Sequence, residues 1–139
     1  MPSGLAWGWR TLDDDVPFGR PIAGETRKKA IILMTDGHNT VSRLGTDKYH
    51  HGKANDSNSV NADANAVTDR ICDNLKSTEI LVYTIAYELP NGGDANATRT
   101  LLSECATTPD SFFDASGGAN LDAAFSAISR DLNKIRLIN

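Results

Sequence analysis

Residues 28–40 read KKAIILMTDGHNT. The stretch Ala30–Met34 is short, rich in Ile and Leu, and shows no alternation of polar and apolar residues. A strand with both faces covered, inside a parallel sheet, has this character. The run then stops on Thr35-Asp36-Gly37, a carboxylate and a glycine where an apolar core segment ends. In open α/β sheets functional groups gather at the carboxyl ends of strands, so the fold and the site both hang on this segment.

Outward from it, the chain alternates. Upstream, Leu5, Trp9 and Leu12 fall at the helical period, followed by an acidic, proline-marked loop at 13–24 that includes Asp13, Asp14 and Asp15. Downstream, residues 38–61 are polar and read as a long loop insertion. A helix follows over 61–77, with Val67, Ile71 and Leu75 stepping by four and Asn61 or Asp63 as the cap. ILVYTIAYEL (80–89) is a second buried strand, PNGGDAN (90–96) a turn, and 98–106 a short helix with Leu101, Leu102 and Cys105 inward. SFFDAS (111–116) is a third strand. The last helix, from Asn120 to about Arg136, carries the stripe Leu121, Phe125, Ile128, Leu132 and Ile135. Helix and strand in turn mean an α/β fold, a parallel sheet with right-handed crossovers.

The bulk properties remove whole classes of function. A chain of 139 residues suits one domain, here taken as residues 1–139. A net charge of −4 and pI near 5.2 leave no basic footprint for nucleic acid. No run approaches the roughly 18 apolar residues that span a bilayer, and MPSGLAWGWR is no signal peptide. Taken literally, with Met1 as the true start, that points to the cytoplasm.

Asp36 has two readings from its residues alone. It caps the following turn, with Gly37 letting the backbone bend sharply, or it is a ligand for a hard divalent ion, which wants several oxygens. Cys72 and Cys105 are two buried thiols or a disulfide; they form no CxxC pair and have no neighbouring histidine, which disfavours zinc. His50 and His51 suit a solvated loop, as does His38. Asp56, Asn58, Asn61 and Asp63 resemble a calcium loop in composition but lack its central glycine and terminal glutamate. Trp7 and Trp9, two apart, cannot share a helix face; one goes to the core and the other to a neighbouring loop or a partner. There is no nucleophile elbow and no Gly-rich phosphate loop, and the cysteines have no adjacent base.

IILMTDGHNT, followed by a helix, LVYTIAYEL, FFDA and a final amphipathic helix, resembles the second half of a von Willebrand factor type A domain. GLAWGWRTL, LMTDG, RICDNLKS with VYTIAYEL, and ECATTPDSFFDAS look closer still to the C-terminal part of TadG-like proteins of Flp (tight adherence) pilus assembly. The resemblance covers nearly the whole chain. It implies a partial doubly wound, Rossmann-like sheet that lacks the N-terminal strands of the type. It also implies that Asp36, supported by Thr35 and Gly37, is one element of a metal-ion-dependent adhesion site holding Mg²⁺. The helices on either side of the second strand are neighbours on one sheet face in that family, which implies a Cys72–Cys105 disulfide and a periplasmic setting.

The family's first metal motif, Asp-x-Ser-x-Ser, is missing. In DASGG (114–118) Gly118 stands where the second serine belongs, and in NDSNS (55–59) Asn58 fails in the same way. The threonine of the second motif would fall before Met1. Without the family's first strand, Ala30–Met34 becomes an exposed apolar edge carrying neither charge nor proline. The expectation is a truncated or separately encoded C-terminal half, with weak or no Mg²⁺ binding of its own and its membrane anchor elsewhere. The implied function is non-catalytic: a protein-interaction module of pilus assembly or adhesion that takes a partner's carboxylate at the metal, in the periplasm or cell envelope. The alternatives are a structural α/β domain without metal or ligand, and a phosphatase-like α/β hydrolase using Asp36.

Overall fold

LVYTIAY is the middle of the sheet. The computed structural model describes residues 1–12, 28–39 and 57–137. In chain order they form α1 (Pro2–Leu12), β1 (Ala30–Thr35), α2 (Ser57–Lys76), β2 (Leu81–Tyr87), α3 (Gly93–Cys105), a 3-10 turn (Pro109–Ser111), β3 (Phe112–Ala115) and α4 (Gly118–Leu137). The fold is α/β: three parallel strands in the order β1-β2-β3, flanked by helices, consistent with a partial Rossmann-like sheet.

β2 alternates between two apolar layers. Val82 faces Leu5 of α1, Ile31 of β1, Cys72 and Leu75 of α2, and Cys105 of α3. Ala86 continues that face against Ala95 and Leu102 of α3. Tyr83 and Ile85 face the other way, toward Ala124 and Ile128 of α4. The crossover helices α2 and α3 share one face, as successive right-handed crossovers along one direction require, α1 joins them there, and α4 covers the other face. Thr84, buried on the three-helix side, satisfies its hydroxyl by donating to the Leu102 carbonyl at 2.8 Å. Thr107 closes the end of α3 onto β2: its hydroxyl accepts from the Val82 amide at 2.7 Å, and its own amide donates to the Val82 carbonyl at 3.0 Å.

Cys72 and Cys105 are joined in a disulfide, with 5.0 Å between their Cα atoms, at the centre of this layer. Trp9 packs half-buried against the same layer. Trp7 is exposed, with the Arg10 guanidinium 5.5 Å from its ring centre.

Several expectations change. Ala30–Met34 is not covered on both faces: Ile31 and Leu33 pack inward, whereas Ile32 is 42% and Met34 49% exposed. The reason is position. Among the described residues β1 pairs only with β2, and the α4-side layer takes in Ala30 of β1 but leaves Ile32 and Met34 exposed. α2 begins at Ser57, so Asn61 and Asp63 lie inside it and do not cap it, and Asn58 is helical as well. The loop expected over 38–61 is shortened accordingly, and its residues 40–56, with His50, His51 and Asp56, lie outside the described residues, as do Asp13, Asp14 and Asp15. The buried line of α2 runs through Ala64, Thr68, Cys72 and Leu75, with Val67 and Ile71 half-buried beside it. α3 begins at Gly93 and not at 98. Gly92, at φ +148°, turns the chain into it, and Asp94 sits in its first turn where the helix dipole favours an anion. Phe125 of the α4 stripe is 43% exposed.

Candidate functional site at the carboxyl edge of the sheet

The parallel register sets one row of residues at the carboxyl edge. Thr35 pairs with Ala86, and Ala86 with Asp114, so Asp36, Glu88 and Ser116 follow at the ends of the three strands. Asp36 is exposed there. The turn beneath it is held by Thr35, whose hydroxyl donates to the Gly37 carbonyl at 2.8 Å and accepts from the Gly37 amide at 3.3 Å. Gly37 itself does not occupy the left-handed region, and a Cβ there would meet nothing within 4 Å. The sharp bend attributed to glycine is thus the work of the threonine hydroxyl.

Asn39 anchors the segment behind Asp36. It is buried, and its amide Nδ2 donates to Asn65 Oδ1 at 2.8 Å and to Thr68 Oγ1 at 3.4 Å, while Thr68 donates to the Ala64 carbonyl. Among the described residues the Asn39 Oδ1 has no hydrogen-bond partner. This contact with α2 is not legible in the sequence, because His38-Asn39 reads as the start of a polar loop and nothing in it identifies α2 as the surface it meets.

Arg99 of α3 is the second residue that pattern reasoning missed. Its Nε donates to Asp114 Oδ2 at 3.0 Å, and its two terminal nitrogens donate to the Leu89 carbonyl at 2.7 Å and the Pro90 carbonyl at 3.2 Å. It therefore ties the end of β2 to the end of β3. Asp114, the acid of DASGG, sits on the last strand and is engaged with Arg99.

Glu88, directly after β2, has φ +46°, an unusual conformation for a residue with a side chain. Strain of this kind collects at functional sites. The Glu88 carboxylate also pushes the Tyr87 hydroxyl above its ordinary value, chiefly through its charge. Glu88→Gly is expected to raise unfolding free energy by roughly 1 kcal/mol, the order of the left-handed penalty for a side chain, and to let the Tyr87 pKa fall. Urea denaturation and an NMR titration of Tyr87 check the pair of effects; a less stable variant would show that the side chain outweighs the strain.

A polar cleft of about 460 Å³ lies away from this edge, beside the amino-terminal end of β3. It is lined by Tyr83, Asp110, Ser111, Arg130, Asp131 and Lys134 among others, and the Tyr83 hydroxyl donates to Asp131 Oδ2 at 2.6 Å. Its charges are of both signs.

Among the described residues no three His, Cys, Asp or Glu side chains gather in a metal-binding group. A hard octahedral ion needs several oxygens, and here Asp36 is exposed while Thr35 is already engaged with Gly37. The described residues thus supply one ligand and do not by themselves fit such an ion. His38 is exposed beside Asp36, and no described helix is long and apolar enough to cross a membrane. Compared with protein-family models, with curated proteins and with solved structures, the chain has no match, so the case for its function rests on its own geometry.

Proposed function

We propose that the chain is a non-catalytic protein-interaction module of the von Willebrand A type, serving pilus assembly or adhesion at the cell envelope, with an incomplete metal-ion-dependent adhesion site. The observation that carries the reading is the placement of Asp36: an exposed carboxylate at the carboxyl end of β1, on a turn held by Thr35 and anchored through Asn39. A residue that merely capped its turn would be expected to hold it, but that task falls to the Thr35 hydroxyl. The Cys72–Cys105 disulfide is compatible with an extracytoplasmic location. The partner is a protein of the envelope or pilus apparatus.

The competing reading is a structural α/β domain in which Asp36 has no ligand. Asp36→Ala separates the two. The interaction reading expects a change in unfolding free energy within about 0.5 kcal/mol when measured at a concentration where the chain is monomeric, as for an exposed residue without structural work in its own fold. It also expects Mn²⁺, a paramagnetic stand-in for Mg²⁺, to broaden the amide resonances of residues 35–39 of the unsubstituted chain only at roughly millimolar levels, like the weakest oxygen sites. The substitution should abolish that broadening. A loss of more than about 1 kcal/mol with no metal-dependent broadening in either protein would favour the structural reading.

A further inference from the structure

We propose that β1 pairs with β1 of a second copy of this chain, antiparallel about a two-fold axis through Ile32, to give one continuous sheet across a homodimer. The inference does not rest on the functional reading above; it uses only the free edge, its exposed side chains and its charges.

β1 presents an open edge among the described residues, since it pairs with β2 alone. The Leu81 amide donates to the Lys29 carbonyl, so the odd-numbered residues of β1 turn their backbone groups to β2. Ala30, Ile32 and Met34 therefore turn theirs to the free edge, because backbone direction alternates along a strand. Those same residues carry side chains on the α4 face, where Ile32 and Met34 are exposed, and Phe125 of α4 is exposed as well. An apolar, uncharged edge of this kind is a template for another strand.

The charges select which strand. Lys28 precedes β1 and Asp36 follows it, both exposed, each four residues from Ile32. Antiparallel pairing centred on Ile32 sets Lys28 against Asp36 of the second copy at both ends. It also sets Ala30 against Met34 and Ile32 against its own image. All of these lie at even positions, so each opposing pair shares a sheet face. The pairs Ala30–Met34 and Ile32–Ile32 are hydrogen-bonded pairs, about six backbone bonds in all. Parallel pairing of two copies would instead bring like charges together at each end. A two-fold axis also closes the assembly, whereas pairing β1 with β3 of the next copy would leave open ends and grow fibres.

Sedimentation of the oxidised chain across a concentration series tests the proposal, with circular dichroism confirming that each variant is folded. The expected species has twice the 15.0 kDa mass of the chain. Ile32→Lys, an exposed substitution that places two lysines in opposition on the axis, should give a monomer. Lys28→Asp or Asp36→Lys alone should weaken association roughly ten- to hundredfold, and Lys28→Asp with Asp36→Lys together should restore it, because opposite charges face each other again. A wild-type monomer at every concentration, a dimer indifferent to Ile32→Lys, a double variant no tighter than the single ones, or an open-ended polymer would each overturn the proposal.

Discussion

Replacing both Cys72 and Cys105 by alanine is expected to lower the unfolding free energy by about 3–4 kcal/mol, the loop-closure value for a separation of 33 residues. The bond ties α2 to α3 across β2, and the loop it closes contains the whole of the central strand. Its cysteines are each 1% exposed and pack with Leu5, Ile31, Leu75 and Val82, so the loss of sulfur adds a packing deficit to the entropic one. Domains of this size are stable by about 5–15 kcal/mol, so the loss takes a large part of the total. Chemical denaturation of oxidised wild type and the double variant measures it, with the transition of the variant at lower denaturant. A difference below about 1 kcal/mol would mean that the unfolded chain is already restrained without the bond. The same arithmetic makes the oxidised form the robust one, and Lys76, which donates to the Glu104 carbonyl at 2.7 Å beside the bridge, cannot replace a covalent link.

How much of this was legible in the sequence depends on what each residue had to reveal. The three strands and four helices follow from period and composition, because β2 and the inward positions Leu101, Leu102 and Cys105 carry their burial in their own chemistry. Helix starts were less readable. Ser57 and Gly93 begin helices in polar or glycine-rich sequence whose intrinsic preference is weak, and docking on the sheet decides them. Position within the sheet was invisible to composition: AIILM looks like a central strand but, among the described residues, stands at an edge and pairs with β2 alone. At the site, Asp36 and Thr35 could be found from the motif. Asn39 and Arg99 could not, since each acts across 26 and 15 residues of sequence respectively, through contacts that exist only once the crossovers are made.

Stability above pH 10 should fall with a slope of up to about 1.4 kcal/mol per pH unit, and Tyr83 is the reason. Its ring is buried against α4, 2% exposed, and its hydroxyl donates to Asp131. Burial first, then the hydrogen bond to the Asp131 carboxylate and its negative charge, raise the pKa well above the ordinary tyrosine value. The sign follows from proton counting. Below pH 10 both folded and unfolded chains keep the proton, and the contribution is fully present. Above it the unfolded chain releases the proton while the folded one retains it, so rising pH draws the equilibrium toward unfolding. Tyr87 acts in the same direction, but it is solvent-accessible and its interaction with Glu88 is screened. Tyr83→Phe should therefore cost about 1 kcal/mol at neutral pH, for the lost hydrogen bond, yet be the more alkali-resistant protein relative to its own neutral stability. Urea denaturation at neutral and alkaline pH, with tyrosinate absorbance to follow ionisation, gives both numbers. Equal alkaline slopes in the two proteins would assign the effect to other groups. A flatter slope in the variant would show that one phenol, bonding β2 to α4, governs how the sheet keeps the helix on its outer face.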